Sequence, residues 1–385
     1  MKRIGITPEQ GVFREQERIT AWLRSRQADY FHIRKPRFSE QQLREYLSAF
    51  PHDIRARLTL HDFHHLAEEL QLGGVHLNSR NPVLAERLKG KRVSASCHSI
   101  DEFVQRQADC AYCFLSPVFD SVSKQGYRSA FPPEVLKKAF AEGRLNGKAV
   151  ALGGVTRDKL PLLEEIGFSA CASVGEWWAL PRTMFITHEN SRYDTVSGAL
   201  AVLQGGVKFI QLRMKEASDD AVLAAARQLR PACDAHGALL TVDDRIHLLE
   251  TGLFDGVHVG KNDMPVAEAK KITGNRFLLG ATCNTTDDAL KAVADDADYL
   301  GIGPFRFTVT KKKLAPVLGL EGYEKIMNTL QQRGIGIPVY AIGGITAADV
   351  DSLKKTGIHG VAVSGALLNS GDVRQACAGF LEVFE

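Results

Sequence analysis

In the second half of the chain, side chains that can bind anions or a cation recur just past short apolar runs. Gln211, Arg213 and Lys215 follow one run, Asp243, Asp244 and Arg245 the next, and Lys261 and Asp263 the one after. Then come Thr282 and Asn284, then Thr308, Thr310 and Lys311, and finally the glycine-containing ends Gly343-Gly344 and Ser364-Gly365. One polar residue at a strand end is commonly a helix cap, but seven such ends in succession are not explained by capping. The two glycine-containing ends leave backbone N–H groups free at helix starts, which is a cradle for a monophosphate. The hydroxyls of Thr308 and Thr310 can add donors to it. Asp244 and Asp263 sit one strand apart and can share a cation. Carboxylates beside Arg213 and Lys215 suit Mg2+ holding a pyrophosphate. Two anionic pockets, one of them metal-assisted, point to two phosphorylated small molecules being joined.

The elements that must position these residues are legible as a repeat. Phe31-His-Ile-Arg-Lys35 recurs as Ile210-Gln-Leu-Arg-Met-Lys215, and Gly74-Val-His-Leu77 as Gly256-Val-His-Val259. Ala95-Ser-Cys-His-Ser99 recurs as Ala281-Thr-Cys-Asn-Thr285, and Ala151-Leu-Gly-Gly-Val-Thr156 as Ala341-Ile-Gly-Gly-Ile-Thr346. The offset widens steadily and never reverses, as small insertions in a second copy would make it do. Two homologous domains follow, 1–178 and 183–385, joined by Ala179-Leu-Pro-Arg182. In the second copy the β-rich runs are Thr183–Thr187, Val207–Gln211, Ala238–Val242, Gly256–Val259, Phe277–Ala281, Tyr299–Ile302, Val339–Ile342 and Gly360–Ser364. Helix-period segments such as Asp219–Leu229 and Ala347–Thr356 lie between them, the latter opened by Thr346 and closed by Gly357. Eight such alternations in about 200 residues fit a (β/α)8 TIM barrel better than an open sheet. The fold class is therefore α/β, two tandem (β/α)8 barrels, the first shortened with trimmed helices.

Composition sets the outer bounds. The chain has 385 residues, 44% apolar and 24% charged, with a formal net charge of +3. The dispersed Lys and Arg form no nucleic-acid stripe. No stretch approaches the ~20 apolar residues that cross a bilayer, and the first residues do not read as a signal peptide. The seven cysteines are odd in number and scattered, which favours reduced thiols and a cytoplasmic setting. Cys110-Ala-Tyr-Cys113 reads as two packed thiols in a buried strand. His61, His64, His65, His76 and His98 match no tetrahedral zinc spacing and read as surface or barrel-mouth residues. Trp177-Trp178 reads as an inter-domain anchor.

The ordered motifs of the second copy resemble thiamine phosphate synthases. They are Gln211-Leu-Arg-Met-Lys215, Val242-Asp-Asp-Arg245, Gly256-Val-His-Val-Gly-Lys-Asn-Asp263, Gly301-Ile-Gly-Pro304 with Thr308-Val-Thr-Lys311, and Ile342–Ile345. The resemblance implies a Mg2+-dependent transferase of thiamine biosynthesis. Such an enzyme condenses 4-amino-2-methyl-5-hydroxymethylpyrimidine pyrophosphate with 4-methyl-5-(2-phosphooxyethyl)thiazole, giving thiamine phosphate and pyrophosphate. The implied chemistry is dissociative: pyrophosphate leaves first, and the thiazole nitrogen captures a pyrimidine methyl cation. Carried over by position, Gln211 and Lys311 contact the pyrimidine and its leaving group. Arg213, Lys215, Asp243 and Thr282 line the pyrophosphate site, and Arg213, Lys215 and Lys311 carry the catalysis by neutralising the departing charge. Asp244 and Asp263 bind Mg2+. Thr308, Thr310, Gly344, Ser364 and Gly365 hold the thiazole phosphate. Three positions depart from the family pattern: Asp243 replaces its usual Asn, Lys261 its Gln, and Thr282 a frequent Ser. Asp243 brings an extra negative charge that must face either the metal or an arginine.

Residues 1–178 resemble TenI-like relatives of that family. Arg34, Asp62 and Lys124 persist, but Asn81 stands for Asp263, His32 for Gln211, and Ser121-Val-Ser123 for the Thr-x-Thr. Some TenI-like proteins are thiazole tautomerases using a His after the sixth strand, where this chain has Leu115-Ser-Pro117. The first half is thus read as degenerate, with an accessory or tautomerase-like role. Two rival readings are a sugar-phosphate epimerase or isomerase on the same barrel, and a phosphate-ligand sensor without turnover. No oligomeric state can be read from the chain.

Overall fold

The computed structural model describes residues 1–9, 12, 14–120, 129, 131–274, 276–307 and 316–384. The positions Thr308, Thr310 and Lys311, and in the first copy Ser121, Ser123 and Lys124, lie outside the described residues. The chain divides into two compact units, Met1–Ala179 and Leu180–Glu385. Each is a closed barrel of eight parallel strands. The first contains β1 (Lys2–Ile6), β2 (Tyr30–Ile33), β3 (Leu58–Leu60), β4 (Gly74–Leu77), β5 (Arg92–Cys97), β6 (Tyr112–Leu115), β7 (Ala149–Leu152) and β8 (Ala170–Ser173). The second contains β9 (Thr183–Ile186), β10 (Phe209–Leu212), β11 (Leu239–Asp243), β12 (Gly256–Val259), β13 (Leu278–Cys283), β14 (Tyr299–Ile302), β15 (Val339–Ile342) and β16 (Gly360–Val363). Closure comes from β1 pairing with β8 and β9 with β16.

Parallel strands need crossovers, and helices supply them. Where the second barrel has an 18-residue helix, Asp219–His236, the first has the 9-residue Glu40–Ser48 and the short His52–Arg55. Gly319–Gln332 corresponds to the shorter Pro133–Ala141, and Val266–Thr273 to the 3-10 turn Glu86–Leu88. The first barrel is shortened through its helices, with its strands intact. Both barrels are floored by inward side chains. Met184, Phe209, Leu239, Tyr299, Tyr340 and Ala362 fill the second, and Ile4, Ile6, Tyr112, Phe114, Val150 and Ala172 contribute to the first. Chemistry in barrels of this kind sits at the strand C-termini.

Trp177 and Trp178 are accounted for within the first barrel. Both rings pack on Trp22 and Phe31, and Trp178 Nε1 donates to Ile6 O at 2.9 Å. Trp22, Phe31 and Ile6 all belong to the first barrel, so these contacts close its own core. All seven cysteines are free thiols and buried. No described helix is long and apolar enough to cross a membrane.

Candidate active site

Strand register and parity aim the predicted residues into one mouth. Gln211 on β10 is opposite Thr241 on β11, and Asp243 lies two residues further along the same face. Both side chains are buried. Gln211 Nε2 donates to Asp243 Oδ1 at 2.6 Å, and Arg213 Nε stands 3.4 Å from Asp243 Oδ2. Asp243 therefore faces an arginine and an amide. Burial, then the neighbouring Asp244, pushes its carboxyl up to about 6, against the pull of Lys215, Arg213 and Gln211. Arg213 is fixed by its own backbone, whose N–H donates to Thr187 Oγ1 at 2.9 Å. The loop holding Lys215 is braced by Arg245, which donates to Ala217 O at 2.6 Å and pairs with Asp219 at 2.9 Å.

The two carboxylates predicted to share a cation converge. Asp244 takes a left-handed backbone, φ 64°, with its N–H on His258 O. This turn brings its carboxylate beside Gly260, whose absent Cβ would lie 3.7 Å from Asp244 Oδ1 and 2.4 Å from Asp263 Oδ2. Gly260 N–H donates to Asp263 Oδ2 at 3.0 Å, and Lys215 Nζ is 3.1 Å from Asp244 Oδ2. Like charges this close cannot both ionise freely. Burial and the adjacent Asp244 hold Asp263 above its ordinary range. For Asp244, burial acts upward but is outweighed by the contacts with Asp263 and Lys215, and the group lies below its range. Asp244 Oδ1 is buried and has no hydrogen-bond partner among the described residues. An orphaned carboxylate oxygen next to a second carboxylate is a donor set that a hard divalent cation such as Mg2+ fits.

The opposite wall is built from glycines and a serine. Gly343 and Gly344 have φ 101° and 67°, and a Cβ on either would strike Pro304 or Arg306. Ser364 Oγ is buried and has no hydrogen-bond partner among the described residues. Between the walls lies a cavity of about 590 Å3 lined by Gln211, Arg213, Lys215, Asp243, Asp244, Thr282, Gly344, Ser364 and Gly365. Asp263 is not among the lining residues; its carboxylate stands beside Gly260, next to that of Asp244. Lys261 turns away to Asp288, at 2.8 Å. The sequence reading had given no role to His258, which is buried on β12, with Nε2 2.9 Å from Thr282 Oγ1 and Nδ1 3.3 Å from Tyr299 OH. Its signal was parity: in Gly256-Val-His-Val259 the residues flanking Val257 share the inner face.

The first barrel fills the equivalent space. His32 and His61 stand where Gln211 and Asp243 do, His32 Nδ1 lying 2.9 Å from His61 Nε2 and His32 Nε2 2.6 Å from Tyr112 OH. His76 contacts Ser94 and Ser96, each at 2.9 Å. Phe114 packs on His32 and His76 at the position of Gly301. His61 and His76 are therefore inside the barrel, correcting the surface or mouth reading, while His98 is exposed. His32, His61 and His76 each place a nitrogen within 4.8 Å of the others. Most of their nitrogens are already hydrogen-bonded, and the His61 and His76 rings stack at 4.2 Å, so the cluster is a closed polar network. Asp62, matching Asp244, is held by Arg80 at 2.8 and 3.1 Å.

A family model described as thiamine monophosphate synthase matches residues 5–176 and again 183–367. A thiamine-phosphate synthase from Bacteroides fragilis is 52% identical over 188 residues, covering 49% of this chain and 92% of that protein. One from Bacteroides thetaiotaomicron is 49% identical over 188 residues, covering 49% and 90%. A solved thiamine phosphate pyrophosphorylase from Pyrococcus furiosus is 34% identical with a TM-score of 0.47, covering 52% of this chain and 94% of that one.

Proposed function

This chain belongs to the thiamine monophosphate synthase family, and on that premise we propose that its second barrel condenses hydroxymethylpyrimidine pyrophosphate with thiazole phosphate. One observation carries the reading. A single cavity has cationic side chains and a carboxylate on one wall, and glycine turns with a serine hydroxyl on the other; one oxygen of that carboxylate and the hydroxyl have no hydrogen-bond partner among the described residues. Such a mouth offers one place to a pyrophosphate and another to a monophosphate.

In this reading Arg213 and Lys215, with Lys311, bind the pyrophosphate and offset the charge that grows on it as the C–O bond breaks. Gln211 orients the pyrimidine. Thr282 is braced by His258 at the pyrophosphate edge. Gly344, Ser364 and Gly365, with Thr308 and Thr310, hold the thiazole phosphate so that its ring nitrogen faces the pyrimidine methylene. The apolar floor, including Tyr299 and Ile342, excludes water from the cation formed between them. Asp244 and Asp263 would hold Mg2+, which when bound supplies further positive charge to the leaving group. No side chain is required as a covalent nucleophile. Condensation is assigned to the second barrel alone, because in the first Asp62 is tied to Arg80 and the Phe114 ring stands where Gly301 lines the cavity of the second. The first barrel is assigned an accessory role.

The test is to incubate the full chain with both substrates and Mg2+ and to assay thiamine phosphate and pyrophosphate together. Asp263→Ala and Lys311→Ala should each lower turnover about a hundredfold, on the order of 3 kcal/mol, in a folded protein. Wild-type turnover in either variant would refute the assignment. Turnover of a sugar phosphate without pyrophosphate release would favour an epimerase instead.

A further inference from the structure

We propose that Asp243 is a positioning residue that selects a hydrogen-bond-donating pyrimidine by fixing which end of the Gln211 amide faces the cavity. The inference rests on the second barrel being the pyrimidine site. An ionised carboxylate can only accept hydrogen bonds. The 2.6 Å contact from Gln211 to Asp243 Oδ1 therefore uses the amide nitrogen. Gln211 Oε1 is left as the other end of a side chain that lines the cavity, and among the described residues it accepts no hydrogen bond. The carboxylate is itself restrained, because Arg213 Nε stands 3.4 Å from its second oxygen. Both residues are buried on adjacent strands, 3% and 4% exposed, so neither can swing into solvent.

An asparagine at position 243, the usual residue in the family pattern, has both a donor and an acceptor end. It would satisfy Gln211 in either orientation, and the glutamine could then adapt to a ligand edge of either polarity. With aspartate, the site presents an acceptor there and the ligand must bring an N–H. The 4-amino group of the pyrimidine does so, whereas a 4-oxo group would set two acceptors against each other. Asp243 thus acts by excluding the wrong ligand as much as by holding the right one.

The experiment is calorimetry on the full chain at pH 8, using the 4-amino and 4-oxo forms of hydroxymethylpyrimidine monophosphate, on wild type and Asp243→Asn. Because these ligands carry no pyrophosphate leaving group, the readout is independent of ring reactivity. Wild type should favour the 4-amino ligand by at least about tenfold, and the ratio should fall to within about twofold in Asp243→Asn. An unchanged ratio overturns the proposal. So does a parallel weakening of both ligands, which is what a purely structural role would give. Turnover is assayed separately. Selective binding without thiamine phosphate formation would sink the reaction assignment and leave Asp243's role standing, while binding of neither ligand would sink both.

Discussion

Gly260→Ala tests the carboxylate pair without replacing either carboxylate. Gly260 does not have a positive φ, so its backbone accepts alanine. The new methyl would lie 2.4 Å from Asp263 Oδ2, where ordinary contact begins at 3.4 Å. The carboxylate must therefore retreat by about 1 Å, lengthening its 3.0 Å bond to the Gly260 N–H. Because the obstacle is the free end of a flexible side chain, the fold should lose under about 1 kcal/mol. The cation site should suffer more. Mg2+ demands oxygen ligands at about 2.0–2.1 Å in near-ideal geometry, and a displacement of about 1 Å can cost on the order of a hundredfold in rate. The assay is pyrophosphate release against Mg2+ concentration, with thermal melting as the check on folding. Half-saturating Mg2+ should rise at least about tenfold. Gly336→Ala, with nothing within 4 Å of the added carbon, should behave as wild type. An unaltered Mg2+ dependence in Gly260→Ala would refute the claim that Asp263 works with Asp244.

Two further outcomes concern stability. Tyr323 OH donates to Ile302 O and accepts from Ile342 N–H at 3.2 Å, bridging β14 and β15 below the site. Tyr323→Phe should cost about 1–3 kcal/mol, read as a lower denaturation midpoint; an unchanged midpoint would show the bridge to be idle. His359 donates from Nε2 to Leu180 O at 2.8 Å, and burial holds its imidazole down at about 4. As pH falls, the unfolded chain takes up this proton first, near pH ~6.5. His359's contribution to stability is thus present above pH ~6.5 and lost as pH falls to about 4. His359→Gln should flatten that acid-side decline in melting temperature; the same slope in both proteins would contradict it. His76, depressed to about 3 by burial, acts in the same direction in the first barrel, so the comparison isolates His359.

The architecture was readable because a parallel barrel writes itself as alternation. All eight predicted runs of the second copy became strands, and their boundaries moved where pairing, not hydrophobicity, decides. β13 continues past Ala281 through Thr282 and Cys283 because these residues still pair with Gly301 and Ile302. The helix read as Asp219–Leu229 runs through Pro231 to His236. Arg230 accounts for this, since it is buried against Asp255 and Asp234 at 2.8 Å each, and holds the following turn in place. Glycine-rich strand ends and charged strand tips were visible one at a time. That they meet at one mouth follows from the barrel, but the local device that joins the two carboxylates, a positive φ at Asp244 and a missing Cβ at Gly260, was not legible. Asp243 shows the limit most directly. Its extra charge looked like a conflict with pyrophosphate until the geometry paired it with Gln211 and Arg213. In the first copy, zinc spacing rules leave His61 and His76 as surface or mouth residues, whereas strand parity carries both inward.

The central claim is that strand tips of the second barrel build one site for a divalent cation and a pyrophosphate. It is met most directly by electron paramagnetic resonance of Mn2+ titrated into the full chain with pyrophosphate present. The account predicts one tightly bound ion per chain, lost in both Asp244→Asn and Asp263→Asn. Equal Mn2+ binding by wild type and the two variants would contradict it.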